Sequence, residues 1–103
     1  QTSIWLNMFL VIEPESPSNM AKESITNSSI TVKWTSPSSP NYEGYIIAIT
    51  DGSPEKQLGK GVSSHTFSGL QSAKQYTVRL KSYQSEVHST EKFIEIYTSK
   101  SFL

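Results

Sequence analysis

The 103-residue sequence contains no cysteine, which excludes a disulfide, a zinc–thiolate centre and a thiol nucleophile. Its absence does not assign a compartment, because a domain of this length can do without disulfides when two sheets bury enough apolar surface. An excess of either charge is also missing: nine Lys and Arg balance nine Asp and Glu. A nucleic-acid binder needs a concentrated basic face, so that class is set aside. Asp51 is the single aspartate, and His65 and His88 are the only histidines. The two histidines lack a ligand-type spacing, and no carboxylate pattern in the sequence converges on them. No serine lies in a nucleophile-elbow motif. Gly59-Lys60-Gly61 is too short for a phosphate-binding loop and precedes no helix. The carboxylate pairs Glu13/Glu15 and Glu91/Glu95 read as solvated charge. No catalytic, cofactor or metal site is therefore expected, and the chain is read as a non-enzyme.

A membrane-length apolar run is absent as well. Ile4 to Ile12 is almost wholly apolar, but a bilayer span needs about 20 residues, so no membrane insertion is expected. Three readings of this leader stay open: upstream or foreign sequence, a strand pairing with this or another domain, and a targeting remnant. Glu13-Pro14-Glu15-Ser16-Pro17 follows, and its two prolines and two charges stop a strand from continuing. The expected organisation is a leader and Pro/Glu linker over 1–16, one domain over 17–98 and a tail over 99–103.

What is abundant is strand pattern. Ile30, Val32 and Trp34 alternate with Thr31 and Lys33, and Tyr76, Val78 and Leu80 alternate with Thr77 and Arg79. This is the period of a strand with one face on a core and the other in water. Further strands are expected over 18–24, 45–50, 56–58, 64–67 and 93–98, with turn residues between them. No stretch sustains a 3.6-residue apolar period, so helix should be close to nil. Seven short strands at this spacing predict an all-β antiparallel sandwich. Alternation turns Ile30, Val32, Trp34, Tyr45, Ile47, Ile49, Phe67, Leu70, Tyr76, Val78, Leu80, Ile94 and Ile96 inward. It turns Ile46, Thr77, Arg79, Lys81, Tyr83, Phe93 and Tyr97 outward.

From Pro17 to about Thr98 the sequence resembles a fibronectin type III domain. The resemblance rests on Pro17 with Met20 three positions on, Trp34 ending the second strand, Tyr45 after Glu43-Gly44, and Leu70 six residues before Tyr76. Ser72 and Lys74 depart from the family's usual Pro and Thr within that last interval. The resemblance implies a seven-stranded immunoglobulin-like sandwich with Trp34, Tyr45, Leu70 and Tyr76 in its structural core. It also implies a tyrosine corner, in which the Tyr76 hydroxyl bonds back to backbone near the preceding turn.

Two surface features bear on function. Asn27-Ser28-Ser29 is an N-glycosylation sequon in the expected first turn. Arg79 and Lys81 are expected on one sheet face between Ile46 on one side and Phe93, Glu95 and Tyr97 on the other. Such an aromatic-basic face suits a protein partner, neighbouring domains of the same chain, or an acidic polysaccharide such as a glycosaminoglycan. Stacking of the Lys and Arg stems on their neighbours within the sheet is the alternative.

The function implied by resemblance is a non-catalytic extracellular or cell-surface module, a spacer and interaction surface in an adhesion or receptor protein. Receptor-type tyrosine phosphatase ectodomains and tenascin-like matrix proteins exemplify such homes. An intracellular structural module, as in giant muscle proteins, and an accessory domain of an enzyme are the alternatives.

Overall fold

Residues with alternating apolar character and high β propensity fold as strands, and no helix forms among the described residues. The computed structural model describes residues 13–51 and 53–100. The strands are β1 (Ser18–Ile25), β2 (Ile30–Thr35), β3 (Gly44–Ile49), β4 (Lys56–Gly59), β5 (Ser64–Phe67), β6 (Gln75–Gln84), β7 (Val87–His88) and β8 (Lys92–Tyr97). One sheet has the order β1-β2-β5; the other runs β4-β3-β6, with β7 and β8 both pairing with β6. All ladders are antiparallel. The all-β antiparallel sandwich is thus the observed architecture.

Among the described residues the expected count of seven strands rises to eight because β6 closes a hairpin onto β7, pairing Tyr83 with His88 and Gln84 with Val87. Ser85 turns that hairpin at φ 54. Two residues are too few to show a period, so no alternation in the sequence marks Val87 and His88 as a strand.

Between the sheets sit Ile30, Val32 and Trp34 from β2, Tyr45, Ile47 and Ile49 from β3, Tyr76, Val78 and Leu80 from β6, and Ile96 from β8. Each is buried, as alternation requires of strands with one face on a core. Phe67 and Ile94 are half-buried and pack against this cluster from strands at the sheet edges. Tyr42 joins it from the loop before β3, where no alternation marks a residue as internal. Its ring meets that of Tyr45 at 5.5 Å, and Tyr45 meets Trp34 edge to face at 5.4 Å, a favoured aromatic geometry. Burial raises the Tyr45 phenol above its ordinary pKa of 10.0.

The corner before β6 is fastened by side chains. The Gln71 N–H donates to the Tyr76 hydroxyl at 2.9 Å, so the expected tyrosine corner is present. Buried Thr98 adds a clasp: its hydroxyl donates to the Gln71 carbonyl at 2.6 Å and accepts from the Lys74 N–H at 3.0 Å. Tyr76→Phe leaves the Gln71 N–H without this acceptor. The expected loss is about 0.5 to 1.5 kcal/mol, read as a shift in urea midpoint. A loss above about 3 kcal/mol would mean that the hydroxyl supports more than this one bond.

Residues 13–16, expected as linker, lie against the sandwich. Pro14 and Pro17 are buried, Ser16 Oγ donates to the Thr90 carbonyl, and Ser82 Oγ donates to the Glu15 carbonyl at 2.6 Å. The Glu15 carboxylate accepts from the N–H and hydroxyl of Ser38 and from the N–H of Ser39. The apolar leader over Ile4 to Ile12, with its three readings, and the last residues of the tail, 101–103, fall outside the described residues.

Those bonds to Ser38 and Ser39 hold the Glu15 pKa below its ordinary 4.5. A carboxylate with a depressed folded pKa stabilises the fold above its unfolded value, and that contribution fades as pH falls through the folded one. Urea melts between about pH 7 and pH 3 should therefore show wild type losing more stability than Glu15→Gln below about pH 4.5. Parallel curves for the two proteins would remove the carboxylate from this role.

Candidate interaction surface

The outward face of the five-stranded sheet carries most of the residues singled out for interaction. Along β6 the outward row is Thr77, Arg79, Lys81 and Tyr83, because Tyr76, Val78, Leu80 and Ser82 face the core. Register sets what flanks each. Arg79 lies opposite Ala48 of β3 and Phe93 of β8, Thr77 lies opposite Glu95, and Gln75 lies opposite Tyr97. Arg79 and Phe93 are thus direct neighbours, whereas Tyr97 is displaced toward the start of β6. Lys81 pairs with Ile46 and has no β8 residue opposite, since β8 begins at Lys92 against Leu80.

Exposure decides which of these residues a partner can touch. Phe93 and Tyr97 are 64% and 63% exposed, and Arg79 is exposed. Ile46 corrects the expectation of an open face: it lies in the outward row but is only 9% exposed. The cause is its place on the central strand β3, between Gln57 of β4 and Lys81 of β6, whose long side chains flank it on both sides. Lys81 is itself half-buried, as expected when a lysine stem covers an apolar neighbour. The exposed face narrows to Arg79, Phe93, Glu95 and Tyr97.

Charge on this face is tempered. Arg79 Nε lies 3.8 Å from Glu91 Oε1, and Gln75 Nε2 donates to Glu95 Oε1 at 3.4 Å. An exposed pair of this kind contributes about 0 to 1 kcal/mol, so Arg79 is readily drawn to another carboxylate.

Asn27 is exposed in the turn between β1 and β2, closed by the Thr26 N–H donating to the Ser29 carbonyl at 3.0 Å. The sequon's third residue, Ser29, shares a 2.7 Å hydroxyl contact with Thr26. At the opposite end, Glu13, Glu15, Asn41 and Gln84 line an open cleft of about 580 Å³.

His65 lies on β5 opposite Val32, with its ring edge-on to Phe67 at 4.8 Å. Burial, reinforced by the charge of Lys56, lowers its pKa below 6.5. His88 is far along the other sheet on β7, so the two histidines do not converge. Among the described residues no three His, Cys, Asp or Glu side chains gather as for a metal ion, and no helix is long and apolar enough to cross a membrane. Asp51 accepts from the Ser53 N–H at 2.8 Å, and its contacts with Ser53 lower its pKa. That is a turn-stabilising role.

Comparison with known families decides what this sandwich is. The family model for the fibronectin type III domain matches residues 15–95. The chain belongs to the fibronectin type III family. Similar solved structures include the fibronectin type III domain of the human collagen alpha-1(XX) chain. It is 25% identical with a TM-score of 0.72, and the match covers 88% of this chain and 90% of that one. A redesigned β-sandwich protein matches at 23% identity and TM-score 0.75, over 84% of this chain and 92% of that one. The FN1–FN3 domains of chicken CNTN1 match at 20% identity and TM-score 0.72. There the match covers 84% of this chain and 31% of the other, so this chain spans about a third of that structure. Fibronectin type III domains are commonly modules of multidomain proteins, generally non-catalytic, and mediate protein interactions. They are frequent in extracellular proteins and occur inside cells as well.

Proposed function

We propose that this fibronectin type III domain is a non-catalytic extracellular module, serving as spacer and protein-interaction surface in a cell-adhesion or receptor protein. The observation that carries the interaction role is the pair Phe93 and Tyr97, both nearly two-thirds exposed on one face, with Phe93 directly opposite Arg79. Large aromatics beside an arginine are the residue types that dominate protein interfaces. A protein is favoured over a glycosaminoglycan because Arg79 is shared with Glu91 and Lys81 is half-buried. Little free positive charge remains there for a polyanion. Heparin chromatography separates the two: elution below physiological salt is expected. Retention above it that disappears in Arg79→Glu would make the polysaccharide the ligand.

The exposed Asn27 in its turn supports the secretory part of the reading. Expression through the secretory route of a glycosylating host should give a product heavier than the polypeptide, and Asn27→Gln should return it to the unmodified mass. An unmodified wild type would withdraw the glycan from this proposal.

A further inference from the structure

An open row of backbone N–H and C=O groups at a sheet edge is a template for another strand, and folded domains usually block it. Of the strands at sheet edges here, β1 is blocked by two register shifts against β2, with Asn19 at φ 55 inside the first. β4 and β5 are four residues each, and β7 is two. β8 carries none of these devices. Its six residues run in unbroken register, from Lys92 opposite Leu80 to Tyr97 opposite Gln75, with no proline and no positive φ. Among the described residues only β6 bonds its backbone, so the far side of β8 has no ladder partner. Phe93 and Tyr97 flank Glu95 along its outward row.

We propose that this free edge takes up an extended segment of a different protein chain by antiparallel strand addition. The segment carries apolar residues opposite Phe93 and Tyr97 and a Lys or Arg opposite Glu95. Backbone pairing supplies the attachment, and the alternate side chains supply the selectivity. Where β8 begins, a groove of about 430 Å³ between it and β1, lined by Pro17, Met20 and Phe93 among others, offers room for an apolar side chain of the incoming strand. Charge argues against a second copy as the occupant. Two β8 strands aligned so that each Phe93 faces the other's Tyr97 bring Glu95 opposite Glu95, and like charges directly opposed are destabilising. The proposal rests on the reading of this domain as an interaction module and adds where and how the partner binds.

The test is an amide-resonance titration of the isotope-labelled chain with the acetylated, amidated peptide TVTKTVT. Signals of residues 92–97 should shift and their hydrogen exchange should slow. The counterpart TVTETVT should bind about twofold to fivefold more weakly, and Glu95→Lys should reverse that order. Equal binding of the two peptides, absence of binding, or shifts confined to β4 or β5 overturns the proposal. So does a concentration-dependent dimer with protected β8 amides, which makes a second copy the occupant. The heparin measurement reads the outer face and not this edge, so failure here is distinguishable from failure of the broader reading.

Discussion

Trp34→Ala is expected to remove a large share of the domain's stability, enough to unfold it where that stability lies at the low end of the usual range. Deleting a buried Trp costs about 3 to 5 kcal/mol, against a total stability of about 5 to 15 kcal/mol for a domain of this kind. Trp34 is 5% exposed and lies between the sheets with its ring edge-on to Tyr45. Truncation opens a cavity beside Tyr45, a member of the same buried cluster on the opposite sheet, and the flanking strands cannot collapse into it without disturbing their ladders. One feature separates the size of the ring from its chemistry. The indole Nε1 is buried and has no hydrogen-bond partner among the described residues, so the native core bears a polar group removed from water. Trp34→Phe keeps an aromatic ring and removes that donor, and it should cost less than about 3 kcal/mol. Urea unfolding followed by circular dichroism checks both. A Trp34→Ala midpoint near wild type would remove this residue from the core, and a Trp34→Phe loss equal to that of Trp34→Ala would mean that the indole N–H is satisfied.

The strands that build this core were legible because burial on one face leaves a period of two. β2 and β6 each alternate without interruption, and the structure buries Ile30, Val32, Trp34, Tyr76, Val78 and Leu80 as that period requires. Tyr42 was not legible, since a loop residue has no period to mark it and only the packing of its ring on Tyr45 reveals its place. Thr98 and Ser82 escaped for a related reason. Polar residues read as outward unless a partner is known, and their partners, Gln71 and Glu15, lie 27 and 67 residues away.

The interaction face shows a different limit. Alternation states which face a side chain takes but not how far its neighbours cover it, and so Ile46 was placed on the correct side and wrongly left open. The neighbouring of Arg79 and Phe93 could be anticipated from β6 being a central strand. The displacement of Tyr97 to a position opposite Gln75 depends on register, which is set by turn and ladder geometry that a two-residue period does not encode. The docking of residues 13–16 was hidden by composition: a Pro/Glu segment reads as linker until Glu15 is seen capping the N–H groups of Ser38 and Ser39.

Gly44→Ala should cost the domain about 1 to 3 kcal/mol, a large loss for one added methyl group. Gly44 opens β3, in ladders with Gly59 of β4 on one side and Tyr83 of β6 on the other. A Cβ there would collide with the Leu58 carbonyl oxygen and come within 3.2 Å of Tyr83 Cε1. The carbonyl belongs to a ladder strand and cannot rotate away as a side chain would, so relief requires β4 to move off β3. The Tyr83 ring occupies the space that the missing side chain leaves, an arrangement in which an aromatic covers a strand glycine. Gly59 is the internal control. It is the cross-strand partner of Gly44, yet a Cβ at Gly59 meets nothing within 4 Å. Gly59→Ala should therefore stay within about 0.5 kcal/mol of wild type. Urea midpoints for the two variants give the comparison. Equal effects would show that glycine is present at Gly44 for a reason other than the close approach of Leu58, whereas a large loss confined to Gly44→Ala ties β4 to β3 through the space that glycine leaves.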